Sequence, residues 1–287
     1  MSPGLADRLF VGMQHLLPQH LLSRAMRSFA RLRAGPVKNV TIRTFLRFYP
    51  INLAEAEHPD PGHYESFNAF FTRALKDGAR PVDTSSDAVV SPVDGAVSQA
   101  GDIERDMLLQ AKGVRYSVTD LLGGDPATAR RFHGGSFATI YLAPFDYHRI
   151  HMPMAGTLTA ARFVPGDLFS VNAVTASQVP GLFARNERVV CLFDTIAGPM
   201  AVVLVGALFV GSMSLSWLGD VDAAPGRRVH ELGAGDPAVA LDKGAELGRF
   251  IMGSTVILLW PPGAVRLEAG LTPGAGVRVG ERIALLS

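Results

Sequence analysis

One run constrains this chain more than any other: Gly248-Arg249-Phe250-Ile251-Met252-Gly253-Ser254-Thr255-Val256-Ile257-Leu258-Leu259-Trp260, closed by Pro261-Pro262-Gly263. It is apolar almost throughout and rich in β-branched and aromatic residues, which predicts a buried strand over 247–260. A Gly-Ser-Thr sits in its middle. Glycine weakens a strand and marks a bulge or a close approach to the backbone. A hydroxyl buried there needs a partner or a purpose. Two readings follow from the run alone: a kink whose hydroxyls bond to nearby backbone, or a serine held beside its own preceding carbonyl. The second requires a base elsewhere in the chain.

The chain has 287 residues, 48% hydrophobic and 18% charged, with 30 Gly and 19 Pro. That suits a turn-rich β or α+β protein and argues against disorder or a coiled coil. The single cysteine, Cys191, excludes a disulfide framework and a multi-cysteine metal site, and its apolar neighbours mark it as a small core residue. Charge is uneven. Residues 1–50 hold eight Arg/Lys against Asp7 alone, leaving a net −6 on the remainder of a chain whose total is +1. A basic front on an acidic body predicts attraction to a polyanion.

Residues 4–33 carry Leu, Met and Phe at three- and four-residue steps, broken at Pro18, with Arg24, Arg27, Arg31 and Arg33 on the rest of the surface. Such helices fit a membrane interface or a packed helix with a solvated basic face. The front lacks aromatics spaced to stack on bases, so nucleic acid is not the expected partner. Nothing at the start reads as a secretory signal, and no apolar stretch is long enough to cross a bilayer. Short helices continue over 41–49 and 66–73, with Ser66 as an N-cap. From Ala88 the texture becomes short strands between Gly and Pro, at 88–91, 95–100, 137–143, 157–164, 188–194, 200–210 and 276–286, besides 247–260. The expected architecture is α+β: a helical region over 1–76, then a mostly antiparallel β body over 77–287. No P-loop, dinucleotide fingerprint or zinc spacing is present; Gly123-Gly124 and Gly233–Gly235 lack the strand-turn-helix setting.

Two places could supply a base. Ser91-Pro92-Val93-Asp94-Gly95 joins two strands, where Asp94 either caps a turn or acts as a carboxylate. Asp146-Tyr147-His148-Arg149-Ile150-His151-Met152-Pro153 holds two histidines three apart, but no third ligand is suggested, so no metal is expected. A histidine oriented by a carboxylate is the logic of the Ser-His-Asp triad, here in the order Asp94, His151, Ser254.

Together these stretches resemble the phosphatidylserine decarboxylase family, of the bacterial membrane-associated type. Met252-Gly253-Ser254-Thr255 resembles its Leu-Gly-Ser-Thr self-cleavage motif, with a volume-conserving Leu-to-Met swap. The Asp94 and His148/His151 stretches match two further signatures, as do Val164-Pro165-Gly166-Asp167-Leu168-Phe169-Ser170-Val171-Asn172 and Leu182-Phe183-Ala184-Arg185-Asn186-Glu187-Arg188. Five ordered signatures are specific where one tetrapeptide is not.

The resemblance implies that Ser254 attacks the Gly253 carbonyl, with His151 as base and Asp94 orienting it. β-Elimination would leave a pyruvoyl group at position 254 and two associated chains, β (1–253) and α (254–287), a heterodimer that could assemble further. The pyruvoyl group would form a Schiff base with phosphatidylserine and act as electron sink, giving phosphatidylethanolamine and CO2. His148 is the expected proton donor, facing the same pocket as His151, and Ser170 a substrate contact. The basic front would then dock the enzyme peripherally on the cytoplasmic side of the cell membrane. Two other readings stay open at this level. One is an ordinary hydrolase triad, although the Gly-x-Ser-x-Gly elbow is missing. The other is a lipoyl-type carrier around Val93–Val97, although no hairpin-tip lysine is present.

Overall fold

The structure is a computed structural model that describes residues 4–209, 213–221, 228–233, 238–251 and 254–287. The front forms helices α1 (Leu5–Leu16), α2 (Gln19–Ala30), α3 (Gly35–Phe48) and α4 (Phe67–Phe71). Pro18 separates the first two as its missing N–H and ring demand. Helix α3 begins six residues before the expected 41, with Pro36 in its first turn, where a missing N–H costs nothing. Ser66 caps α4 by accepting from the Ala69 amide at 3.1 Å.

Helices α1 and α2 lie on the protein with their polar side inward. Leu5, Leu9, Met13 and Leu16 are exposed, as are Leu21 and Phe29, whereas Gln14 and Ser23 are buried. Gln14 donates to Thr175 and accepts from the Ser170 amide, Gln19 accepts from the Leu168 amide, and Ser23 accepts from the Phe209 amide. The apolar stripe read from the sequence is therefore not a core stripe. A separate small core gathers Ala30, Ile42, Tyr64, Phe67, Phe70 and Phe71.

The body's strands are β1 (Ala88–Val90), β2 (Gly95–Asp102), β3 (Met107–Ala111), β4 (Val114–Ser117), β5 (Ser136–Leu142), β6 (Arg149–His151), β7 (Gly156–Val164), β8 (Arg188–Thr195), β9 (Gly198–Val205), β10 (Met213–Leu215), β11 (Gly219–Val221), β12 (His230–Glu231), β13 (Ala240–Leu241), β14 (Glu246–Phe250), β15 (Ser254–Trp260), β16 (Val265–Leu267), β17 (Gly276–Val277) and β18 (Arg282–Leu286). The largest sheet runs β12-β7-β8-β9-β15-β5-β2-β17, with β13 also on β7. A four-stranded sheet runs β11-β10-β14-β6, and β1-β18-β16 forms a third. The ladders between named strands are antiparallel, as expected.

Three strand expectations need correction. The 247–260 run is two strands in two sheets: β14 ends at Phe250 and β15 begins at Ser254. Both halves are buried, so hydrophobic pattern could not reveal the change of sheet. The 200–210 strand ends at Val205; Val210 lies outside the described residues. The 276–286 segment is two short strands in different sheets, broken at Gly280, whose positive φ of 86° and close approach to the Pro81 carbonyl suit glycine alone. The β3–β4 hairpin was not anticipated. Cys191 is wholly buried in β8, as expected.

Candidate active site

β15 lies between β9 and β5, every residue of it buried. Ser254, its first residue, pairs across to Leu142, the last residue of β5. Beyond Leu142 the chain passes through Ala143–His148 into β6, which pairs with β14. The two chain segments thus leave one sheet and enter another side by side, and Ser254 sits at that junction. Met252 and Gly253 lie outside the described residues.

Ser254 is wholly buried and its Oγ has no hydrogen-bond partner. Thr255 Oγ1 beside it is also buried and unpartnered. Such atoms are rare in a native interior, and each costs about 1–3 kcal/mol. Neither bonds to neighbouring backbone, so the kink reading of Gly-Ser-Thr, with its hydroxyls satisfied locally, does not hold.

His148 lies at the same junction: its carbonyl accepts from the Phe250 amide, four positions before Ser254. Its Nδ1 is 2.8 Å from the Asp146 carbonyl, so Nδ1 carries the hydrogen and Nε2 a free lone pair. That Nε2 is buried without a partner. The ring packs on Phe71 at 4.1 Å, and full burial pushes its pKa down to about 3.

His151 ends β6 opposite Glu246. Its Nδ1 is 2.8 Å from the Gly244 carbonyl and its Nε2 3.2 Å from the Tyr147 hydroxyl. A carbonyl can only accept, so Nδ1 is the protonated nitrogen and Tyr147 donates to Nε2. Burial lowers its pKa, opposed by that hydrogen bond and by Glu246. The two histidines have different ring partners, His148 against Phe71 and His151 stacked on Tyr147.

Asp94 does not bond to His151. Its carboxylate takes three hydrogen bonds from Arg80, at 2.9, 3.0 and 2.6 Å, and one from the Val279 amide at 2.9 Å. Arg80 also holds Glu55 at 2.8 Å. The partner that orients His151 is the Gly244 carbonyl. Arg80 and Tyr147 were missed by sequence reasoning. Arg80 sits in a polar, turn-rich stretch where it reads as a surface residue, while Tyr147 stood inside a signature without an assigned role. Gly95 follows from local geometry: a Cβ there would lie 2.3 Å from the Tyr141 carbonyl oxygen.

The Ser170 backbone is tied to α1. Its amide donates to Gln14 of α1 at 2.8 Å, and its hydroxyl faces the Asn172 amide. The stretches 164–172 and 182–188 grip each other. Fully buried Asn186 spans Phe169 and Gly206 by three hydrogen bonds, and a Cβ on Gly166 would lie 2.2 Å from the Arg185 carbonyl oxygen. These two signatures build the seat of α1 and also border the Ser254 end of the large sheet, where Arg188 pairs with Val205 and Val205 with Thr255. Among the described residues, no group of three His, Cys, Asp or Glu is arranged to hold a metal ion.

A buried serine at a strand-to-strand junction, with two neutral imidazoles nearby, defines a protein whose chemistry is housed inside a β body. Comparison with known proteins narrows this. The phosphatidylserine decarboxylase family model matches residues 67–285, and a second model, described as PSD, matches residues 9–50. A phosphatidylserine decarboxylase proenzyme from Azotobacter vinelandii is 55% identical over 97% of this chain and 98% of its own. Those from Pseudomonas fluorescens, at 54%, and Shewanella frigidimarina, at 50%, are similar over 98% of this chain. The chain belongs to the phosphatidylserine decarboxylase family.

Proposed function

We propose that this protein is a self-processing enzyme that decarboxylates phosphatidylserine to phosphatidylethanolamine, using a pyruvoyl group made from its own Ser254. The observation that carries this reading is the orphaned, wholly buried Ser254 hydroxyl on the first residue of a central strand, in a member of this family. Its attack on the Gly253 carbonyl replaces the amide by an ester, β-elimination then breaks the chain between 253 and 254 to leave a carboxylate on 253, and water hydrolyses the dehydroalanine at 254, releasing ammonia and giving the pyruvoyl group. His151 is the base: with Nδ1–H committed to Gly244, its Nε2 carries the lone pair that takes the serine proton once the Tyr147 hydroxyl gives it up. Asp94 supports the site by holding Arg80 and the Val279 amide rather than by touching the imidazole.

A hydroxyl without a structural bond to lose fits conversion to pyruvoyl. That group supplies an electron sink for the pair released as CO2 departs. His148 delivers the proton that replaces the carboxylate. Burial keeps it uncharged in the intact chain, and opening the backbone beside it admits water and lifts that penalty. After cleavage, 254–287 would stay attached through β15 in the large sheet, β17 on β2 and β18 on β1.

The front docks on the membrane. The exposed Leu, Met and Phe of α1 and α2 enter the lipid interface, and exposed Arg8 and Arg24 meet anionic headgroups on the cytoplasmic face, while Arg27 and Arg31 pair with Asp220 and Arg33 with Glu65. Among the described residues no helix is long and apolar enough to cross a membrane. The organisation is a membrane-associating 1–76 and a catalytic 77–287.

Intact mass under denaturing conditions, beside Ser254→Ala, tests the reading. Two chains breaking at 253/254, the shorter lighter by conversion of an N-terminal serine to pyruvoyl, support it. One intact chain that hydrolyses lipid esters returns Ser254 to an ordinary hydrolase nucleophile.

A further inference from the structure

Arg73 follows α4 by two residues. It is 6% exposed, and among the described residues its guanidinium makes no hydrogen bond or ion pair; it lies over the Phe70 ring at 5.7 Å. A buried charge is normally paired, because desolvation costs several kcal/mol per ion. Arg73 lines a cavity of about 470 Å³ whose wall also includes Arg80, Asp94, Gly95, Asp146 and Tyr147. The carboxylates there reach it only through space, with no hydrogen bond or ion pair among the described residues. Asp94 and Glu55 are taken by Arg80. Asp146 accepts from the Ala143 amide, and burial raises its pKa, which weakens its hold on a cation. On the same wall, the exposed Arg278 side chain has no ion pair among the described residues.

The cavity adjoins the candidate chemistry. Gly95 on its wall pairs with Val277, the next residue Ala96 pairs with Tyr141, and Leu142 pairs with Ser254. At about 4.8 Å per strand, two steps across the sheet separate Gly95 from Ser254 by roughly 10 Å. Phe71, two residues before Arg73, packs on His148. Tyr49 and exposed Phe145 stand together beside the opening, offering apolar surface on the side of α3.

We propose that the cavity lined by Arg73 is an oxyanion subsite that holds the substrate headgroup, through its carboxylate or its phosphodiester, against the unpaired guanidinium. This rests on the function proposed above. A guanidinium presents a planar fork that matches either oxyanion in a two-point bond, and Phe70 fixes its plane from one side. The headgroup supplies the missing counter-ion, and the buried position makes the pairing strong. Arg73 is thus a substrate-positioning residue that sequence reading passed over, since it ends the helix predicted over 66–73 and resembles a basic residue of a helix C-terminus.

The test is the KM for phosphatidylserine in detergent micelles, read on the self-processed fraction of wild type, Arg73→Gln and Leu75→Glu. Leu75 is a half-exposed wall residue, so its substitution sets a carboxylate beside Arg73 without emptying the core. Both variants should raise KM roughly ten- to hundredfold, the loss of one charged hydrogen-bonding partner. Glycerophosphoserine and glycerophosphoethanolamine, added as competitors, separate the two sources. Weaker competition by both in the variants assigns the phosphodiester, and by glycerophosphoserine alone the carboxylate. Unchanged KM and unchanged competition overturn the subsite. If Arg73→Gln is recovered unfolded, Leu75→Glu decides alone. A wild type that neither cleaves nor decarboxylates overturns the function instead, a result distinct from normal turnover with an unmoved KM.

Discussion

The guanidinium of Arg80 closes on the carboxylate of Asp94 through three hydrogen bonds, and both side chains are nearly buried. The pair ties the segment before β1 to the turn before β2. Arg80 has a second acid, Glu55, whereas Asp94 has only the Val279 amide besides. The two ends of the pair are therefore unequal. Arg80→Ala strands two carboxylates and should cost about 3–5 kcal/mol, while Asp94→Asn leaves Arg80 its other partner and should cost less. Denaturant midpoints of the two variants check this order, and equal losses would refute it.

The histidines should separate in their effects. His151→Ala is expected to leave the chain uncut, because the base for Ser254 is gone. His148→Ala is expected to cleave and then decarboxylate at least a hundredfold more slowly, the typical worth of a positioned acid. Intact mass and CO2 release read the two steps. Loss of cleavage in His148→Ala would exchange the two roles.

Acid should loosen the intact precursor before its carboxylates titrate. Ser254→Ala supplies that uncut form. Buried His148 has its pKa pushed to about 3 from the ordinary 6.5, and that of His151 is also lowered. The unfolded imidazole therefore binds a proton that the folded one refuses. The stability from keeping His148 neutral is complete above about pH 6.5 and declines as pH falls from there toward 3, by roughly 5 kcal/mol at most. In the Ser254→Ala background, the denaturation midpoint should fall between about pH 7 and 5, and adding His148→Leu should flatten that slope. An equal slope in both would remove His148 as the titrating group.

The outward apolar face of α1 should bind lipid. Leu9→Glu with Leu16→Glu leaves the inward contacts of Val11 and Gln14 intact, since the substituted residues are exposed. Binding to vesicles containing anionic lipid should weaken at least tenfold, while self-cleavage is unaffected. For the wild type, binding should fall as salt rises, because screening acts on exposed charge. Undiminished binding by the double variant would place the docking surface elsewhere.

The outline of the fold was legible because punctuation is local. Pro18 divides two helices, Ser66 caps another, and Gly and Pro mark most strand ends. What hydrophobicity could not distinguish were partners. The 247–260 run is buried in both of its sheets, so nothing in its pattern announced the passage from β14 to β15. The same blindness affected α1. A Leu/Met stripe at helical spacing looks alike whether it faces a core or the outside, and only the bonds made by Gln14, Gln19 and Ser23 decided that it faces out.

At the site, the sequence by itself determined which groups are candidates: a serine after glycine in an apolar run, two histidines in one signature, and an aspartate beside a glycine. Their types follow from chemistry, and their order could be read along the chain. The tertiary structure alone decided their partners. It gave Asp94 to Arg80, His151 to Gly244 and Tyr147, and Ser170 to α1, and it left Ser254, His148 and Arg73 without a hydrogen-bond partner for a reactive atom or a charge. Pairing depends on which distant segments share one low-dielectric interior, and residue spacing carries no record of that.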